Sequence, residues 1–249
     1  MYLVELSDRR NCILYEKIKR ANDALPYTAN AQNCGAEAVI IFSPAKKLKP
    51  ADAEKLPAGS TAIGGNQAAE ALEILRKRGI TYVNLLSDEI FAVENAALTA
   101  EGALRVLTDA TEKSIFENNI LISGCGRVGK AAAILFGKAG LNIALCTFDK
   151  AEFEAALLYA RKTYFGRDFI ADLPRFDVIV NTIPALILDG DALSKTAPGT
   201  AVIELASVPC LDTEKIKGLP LRYIPAPGLP SVCCPESAAD IMLKSILRL

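Results

Sequence analysis

The 249-residue sequence contains no histidine, and this absence limits the chemistry that the protein can perform. Imidazole is the side chain that most often serves as a general base in enzymes. Without it, the histidine–carboxylate proton relay of 2-hydroxyacid dehydrogenases is excluded, and so is every histidine-based catalytic triad. Any proton transfer therefore has to use carboxylates, lysine, tyrosine, cysteine or water.

Basic runs and long apolar runs are also missing. The net charge is −1 and no cluster of basic residues occurs, which argues against a nucleic-acid partner. No apolar stretch reaches the ~20 residues that cross a membrane, and residues 1–5 do not resemble a signal peptide. The seven cysteines form no C-x-x-C pair, so we expect reduced thiols, no metal site and a cytoplasmic location.

Glycines at a fixed spacing mark the centre of the chain. A short apolar run, residues 120–122, predicts a buried strand, and Gly124, Gly126 and Gly129 follow it as G-x-G-x-x-G. In this motif the first glycine permits a tight turn and the second lets a pyrophosphate approach the backbone. The third allows the next helix to pack close to the strand. A glycine turn in an α/β domain without a ligand is the alternative interpretation.

The residues that follow support the dinucleotide interpretation. Residues 130–140 predict an amphipathic helix closed by Gly140, and residues 142–147 predict a second strand. Together they form a β-α-β unit of the length found in a Rossmann domain.

The tip of the second strand indicates which dinucleotide is bound. Enzymes that use NAD carry an acidic residue there, but this chain has Cys146. Thr147 and Lys150 are predicted to receive a 2′-phosphate, whereas Asp149 would repel one. We therefore expect NADP(H) rather than NAD(H). The predicted cofactor-binding residues are Gly124, Gly126, Arg127, Val128, Gly129, Thr147, Lys150, Asn181, Thr182, Ile183 and Pro184.

A second, smaller domain is predicted before the motif. Apolar strands alternate with helical stretches, which is typical of a parallel sheet. We expect an α/β protein with a flavodoxin-like N-terminal domain and a C-terminal Rossmann domain. The predicted boundaries are residues 1–90 for the first domain, 91–232 for the Rossmann domain with its linking helix, and 233–249 for a C-terminal helix.

Shorter patterns predict further elements. Residues 46–55 indicate a surface loop, residues 150–162 a helix and residues 168–170 a short strand.

We expect the substrate to bind in a cleft between the two domains. The Gly64-Gly65-Asn66 turn at a strand end has two interpretations, an anion site or a turn that requires positive φ. A long helix over 88–112 is expected to link the domains beside this cleft. The predicted substrate-side residues are Gly64, Gly65, Asn66, Asn95, Thr99, Glu101, Ser207, Pro227, Gly228 and Leu229.

Five segments resemble the dipicolinate synthase A-subunit family. They are Asn-Ala-Ala-Leu-Thr-Ala-Glu-Gly at 95–102, Gly-Cys-Gly-Arg-Val-Gly at 124–129, Asn-Thr-Ile-Pro-Ala at 181–185, Leu-Ala-Ser with a later Pro at 205–209, and Ala-Pro-Gly-Leu-Pro at 226–230. They occur in the family's order and span about residues 92–240. The chain departs from the family pattern at Val208, Cys210, Ser231 and Glu236, where Val208 and Glu236 replace basic residues.

The resemblance implies an NADP-dependent oxidoreductase that dehydrogenates dihydrodipicolinate, a small dicarboxylate, in sporulation. It also implies a partner, which is a flavoprotein-like second subunit. Two other functions stay open: a nucleotide-binding subunit that is regulatory and not catalytic, and an enzyme similar to shikimate dehydrogenase, a class that relies on a Lys–Asp pair. The sequence identifies no catalytic residue, and a homo-oligomer is left open.

Overall fold

The computed structural model describes residues 1–21, 24–27 and 34–249. The chain forms two compact units, and each is described by itself. Unit 1 comprises Met1–Asn95 and Pro230–Leu249, and unit 2 comprises Ala96–Leu229. Unit 2 is therefore one continuous segment, whereas unit 1 is assembled from two. The sequence places boundaries at residues 90 and 232, and in the structure the C-terminal helix is part of unit 1.

Unit 1 is built on a parallel five-stranded sheet. Its strands are β1 (Tyr2–Val4), β2 (Ala24–Pro26), β3 (Val39–Ile41), β4 (Thr61–Gly64) and β5 (Thr81–Asn84). Their order in the sheet is β2-β1-β3-β4-β5, and every pair is parallel. This is the 2-1-3-4-5 order of flavodoxin-like folds, so the predicted flavodoxin-like sheet is confirmed.

Unit 1 has four helices of its own among the described residues. They are α1 (Arg9–Ala21), α2 (Pro50–Ala53), α3 (Ala69–Lys77) and α9 (Pro235–Ile246), with a 3₁₀ turn at Leu85–Ser87. Helices α1 and α3 pack against the sheet. Residues 46–55 thus contain a short helix rather than only a loop, because Pro50 occupies its first turn, where the missing N–H of proline is tolerated. Two further helices cross the boundary between the units, α4 (Glu89–Asp109) and α8 (Leu229–Cys233).

Unit 2 is built on a parallel six-stranded sheet. Its strands are β6 (Asn119–Ser123), β7 (Asn142–Thr147), β8 (Lys162–Phe165), β9 (Val178–Asn181), β10 (Ala201–Glu204) and β11 (Arg222–Pro225). The order is β11-β10-β9-β6-β7-β8, which is the Rossmann order 3-2-1-4-5-6 counted from β6. The predicted Rossmann domain is therefore confirmed.

The helices of unit 2 besides α4 are α5 (Arg127–Lys138), α6 (Lys150–Ala156) and α7 (Gly190–Leu193), with 3₁₀ segments at Ile115–Glu117 and Asp168–Arg175. Helix α5 ends as the sequence predicts. Gly140 has φ +86°, and the N–H of Leu141 donates to the carbonyl of Phe136 at 3.0 Å. This is the glycine-dependent ending that only a residue without Cβ adopts readily.

The prediction for residues 150–170 is wrong in two places. The helix ends at Ala156, and the third strand of the Rossmann sheet is β8 rather than residues 168–170, which lie in a 3₁₀ segment. The side chain of Tyr164 fixes the strand, because its ring packs edge-on against Phe176 and its hydroxyl donates to Asp172. These contacts lie 8 and 12 residues along the chain, beyond the reach of a local pattern.

Candidate functional site

The glycine turn joins β6 to α5, and the structure requires two of its three glycines, each for a different reason. Gly124 has φ +99°, a left-handed conformation that favours glycine. A Cβ on Gly129 would lie 2.0 Å from the carbonyl oxygen of Gly124, so only glycine lets α5 pack this close. A Cβ on Gly126 would meet no atom within 4 Å. The open space at this turn therefore lies beside Gly126.

The N-terminus of α5 borders the same space. Gly126 is the N-cap residue and is exposed, and the helix begins at Arg127. The first turn of a helix presents backbone N–H groups and the positive end of the helix dipole. The space beside Gly126 is therefore open and borders a helix N-terminus, an arrangement that favours an anion.

The residues after β9 lie against this turn. The hydroxyl of Thr182 donates to the carbonyl oxygen of Ser123 at 2.7 Å. A Cβ on Gly124 would lie 2.3 Å from that hydroxyl oxygen and 3.0 Å from a side-chain carbon of Ile183. Pro184 follows and is exposed. The structure therefore brings Thr182 and Ile183 to the glycine turn, and their role in cofactor binding stays a prediction.

Asn181 is buried inside the protein, whereas a residue that lines a cofactor is expected to be open to it. Its side chain is fully buried, and its amide nitrogen donates to Glu204 at 2.6 Å and to the carbonyl of Ile183 at 2.9 Å. The hydroxyl of Ser123 donates to its amide oxygen at 2.6 Å. Asn181 consequently holds the backbone of the residues that follow it and offers no surface of its own.

Glu204 completes this buried network, and the sequence does not reveal it. Glu204 is 3% exposed, and its carboxylate accepts hydrogen bonds from the backbone N–H groups of Ala206 and Cys210, at 3.0 and 2.7 Å. Glu204 and Ser123 lie beside Asn181 in register, at the carboxyl ends of three adjacent strands. The network fixes the edge of the sheet where ligands bind in Rossmann folds.

The tip of β7 has an acidic residue beside it that the strand pattern does not reveal. Thr147 is 2% exposed, and its hydroxyl donates to the carboxylate of Glu152 at 3.0 Å. Asp149 caps α6, because its carboxylate accepts the N–H of Glu152 at 2.9 Å. Thr147 is therefore not the free phosphate donor that the sequence predicts, whereas Lys150 is exposed. The D-x-x-E capping pattern at 149–152 is the signal that locates Glu152.

Three buried thiols lie in unit 2. Burial raises the pKa of the Cys146 thiol to about 12. Burial, and after it the charge of Glu204, raises the pKa of Cys210. Burial, and after it the charge of Glu152, raises the pKa of Cys125. Because the thiolate is the reactive form, none of these three cysteines is suited to act as a nucleophile.

The Gly64-Gly65-Asn66 segment in unit 1 is not a turn of positive φ. Neither Gly64 nor Gly65 has a positive φ. A Cβ on Gly65 would instead lie 2.0 Å from the carbonyl oxygen of Pro44, so close packing requires this glycine. Asn66 is exposed, and its side-chain oxygen accepts from the amide of Asn84 at 2.8 Å. The anion-site interpretation stays a prediction.

The other predicted substrate-side residues lie on separate elements. Asn95, Thr99 and Glu101 are on α4, with Glu101 exposed. Ser207 is exposed after β10. Pro227, Gly228 and Leu229 precede or begin α8, and Gly228 has φ +66°. Their role in substrate binding stays a prediction.

Residues 1–21, 24–27 and 34–249 contain neither a group of side chains that could hold a metal ion nor a membrane-spanning helix. Within these ranges, no three His, Cys, Asp or Glu side chains are grouped as metal ligands. No helix in this part of the chain is long and apolar enough to span a bilayer.

Comparisons with known proteins agree with this fold. The A-subunit of dipicolinate synthase from Bacillus subtilis (strain 168) is 24% identical over 226 residues, which are 90% of this chain and 76% of that protein. The crystal structure of the dipicolinate synthase A-subunit from Bacillus halodurans matches with a TM-score of 0.86 and 20% identity, covering 99% of this chain and 96% of that chain.

A transhydrogenase from Sinorhizobium meliloti matches with a TM-score of 0.71 and 14% identity, covering 99% of this chain and 92% of the other. No protein-family model matches the sequence. The resemblance is therefore confirmed: the chain is similar to the dipicolinate synthase A-subunit in sequence and in fold, with two parallel-sheet α/β units of which the second is Rossmann-like.

Proposed function

We propose that the protein is an oxidoreductase that uses a pyridine dinucleotide. The observation that carries this proposal is the contrast among the three glycines. A Cβ on Gly124 or Gly129 would collide with other atoms of the protein, whereas a Cβ on Gly126 would lie in open space at the N-terminus of α5. A pyrophosphate fills such a space, and the helix N-terminus compensates its charge.

The cofactor supplies the hydride chemistry, and the residues of this chain supply position and electrostatics. Thr182 and Ile183 pack at the turn, and the buried network of Asn181 and Glu204 holds their backbone. Since the chain contains no histidine, a proton that accompanies hydride transfer moves through a carboxylate, lysine, tyrosine, cysteine or water.

The reaction that the relationship favours is dehydrogenation of dihydrodipicolinate to dipicolinate, in the cytoplasm of a sporulating cell and with a flavoprotein-like second subunit. Val208 and Glu236 stand where the family pattern has basic residues. Because dicarboxylates are held by cations and by helix N-termini, the substrate assay has to include dicarboxylates and neutral analogues.

The choice between NADP(H) and NAD(H) is a separate proposal. The sequence favours NADP(H) through Thr147 and Lys150. The buried position of Thr147 and its hydrogen bond to Glu152 remove one of these two donors. Cofactor selection therefore depends on the contacts around Glu152.

The test is to replace Gly126 with valine and to titrate NADH and NADPH by fluorescence. A branched side chain at this position fills the pyrophosphate space, so we expect both affinities to fall at least 100-fold while the fold persists. Gly35→Val is the matched control, because a Cβ on Gly35 also meets no atom within 4 Å but lies in unit 1.

Unchanged nucleotide affinity in a folded Gly126→Val protein would contradict the proposal. Nucleotide binding without turnover of dihydrodipicolinate or its analogues would instead identify a non-catalytic, nucleotide-binding subunit.

A further inference from the structure

We infer that the carboxylate of Glu152 recognises the 2′-hydroxyl of the adenosine ribose and makes the site selective for NAD(H) over NADP(H). This inference rests on the proposed function, since it assumes that a dinucleotide binds at the glycine turn. It reverses the preference that the sequence alone suggests.

The position of Glu152 follows from β7. The N–H of Gly124 donates to the carbonyl of Cys146 at 2.8 Å, so the tip of β7 lies directly beside the glycine turn. Thr147 is the next residue, and its hydroxyl holds one carboxylate oxygen of Glu152 at 3.0 Å. Glu152 therefore brings a carboxylate to the strand tip from the first turn of α6, where an NAD enzyme carries an acid on the strand itself.

The capping arrangement frees Glu152 for this role. In a capping box, the glutamate bonds back to the N–H of the N-cap residue. Here the N–H of Asp149 donates to the hydroxyl of Thr147 at 3.2 Å instead. The carboxylate of Asp149 accepts the N–H of Glu152 and so faces its own helix. Of the two acids near the tip, Glu152 is therefore the one that can face a ligand.

Accessibility and charge agree with a ligand contact. The side chain of Glu152 is 30% exposed, so a ribose can reach it. Its second oxygen lies 3.7 Å from the ammonium of Lys130 on α5. Burial, and after it the charge of Glu152, raises the pKa of Cys125 within the glycine turn, while Lys130 acts in the opposite direction, so the charge of Glu152 is felt at the turn. A 2′-phosphate brought there would meet a like charge and would have to compete for Lys130.

A hydroxyl and a phosphate therefore have opposite interactions with this carboxylate. The ribose 2′-hydroxyl donates a charge-assisted hydrogen bond to it, whereas a 2′-phosphate has no proton to donate in its ionised form. We expect NADH to bind at least tenfold more tightly than NADPH, which corresponds to about 1.4 kcal/mol.

The experiment titrates NADH and NADPH against the wild type, Glu152→Gln and Glu154→Gln. Glutamine keeps the size of residue 152 and an oxygen for Thr147 but removes the charge. We expect the NADH/NADPH preference to fall at least tenfold in Glu152→Gln, mainly because NADPH binds more tightly. Glu154→Gln is the matched control, since Glu154 lies on the same helix and is exposed.

Each outcome decides between the ideas. Tighter binding of NADPH by the wild type, or an unchanged preference in a folded Glu152→Gln protein, overturns the role of Glu152 and leaves dinucleotide binding intact. Absence of binding by both nucleotides in the wild type overturns the proposed function, and this inference with it.

Discussion

Replacing Gly129 with alanine tests the geometry of the glycine turn without any ligand. An added Cβ would lie 2.0 Å from the backbone carbonyl oxygen of Gly124, whereas ordinary contacts begin at 3.4 Å. The obstacle is backbone, so no side-chain rotation relieves it. Helix α5 has to move away from β6 by more than 1 Å, which disturbs the packing of both elements.

The cost of such overpacking is typically about 1–3 kcal/mol, and the backbone contact puts this site at the upper end, about 2–3 kcal/mol. For a protein of this size, 1 kcal/mol corresponds to about 2–4 °C in melting temperature. We therefore expect Gly129→Ala to lower the unfolding temperature of unit 2 by about 4–12 °C.

Gly126→Ala is the matched control at the same turn. Its Cβ meets no atom within 4 Å, and its φ of −70° suits alanine. Alanine is a poorer N-cap residue than glycine and costs up to about 1 kcal/mol of stability there. It also restricts the unfolded chain, which stabilises the folded protein by about 0.4–1 kcal/mol, so the two effects nearly cancel. Thermal unfolding followed by circular dichroism measures both variants. If Gly129→Ala melts within about 2 °C of the wild type, or if the melting temperatures of both variants fall equally, the close-approach argument is wrong.

Two further predictions concern stability. Hydrogen bonds from Ser245 and Arg248 lower the pKa of Asp88 from its ordinary 3.8 to about 2. Because the pKa of Asp88 is lower in the folded protein, this stabilisation is present above pH 4 and is lost as the pH falls towards 2. The difference in unfolding free energy between wild type and Asp88→Asn, measured by urea unfolding, should therefore shrink over this interval. A difference that stays constant would refute the assignment. Glu204→Ala leaves two backbone N–H groups and one side-chain amide without their buried acceptor, so it should cost at least about 2 kcal/mol in the same assay and more than Glu204→Gln. Equal losses of unfolding free energy in Glu204→Ala and Glu204→Gln would argue against a stabilising role of this hydrogen-bond network.

The sequence predicts the fold well where local chemistry decides it. Gly124 and Gly140 act through their own backbone, and the position of the glycine motif between a short apolar run and an amphipathic stretch distinguishes strand from helix. The alternation of strands and helices also predicts two parallel sheets, because crossover connections leave few other topologies.

Contacts between distant residues account for what the sequence did not predict. Strand β8 is short and partly polar, and the contact of Tyr164 with Phe176 secures it. Gly65 is required by Pro44, which lies 21 residues earlier in the chain, and no local turn rule reveals that approach. The orientation of Glu152 depends on which partner Asp149 takes, a choice that the capping pattern alone leaves undetermined.

The two-segment composition of unit 1 has a consequence for how the protein is made. Helix α9 packs against α1, and Lys17 pairs with Asp240 at 2.8 Å, so unit 1 lacks one of its layers until residues 230–249 have been synthesised. Unit 2 lies wholly between the two segments and is complete earlier. During translation, unit 2 can therefore fold before unit 1 is complete, and the face of α1 that contacts α9 stays uncovered until the last segment has been synthesised.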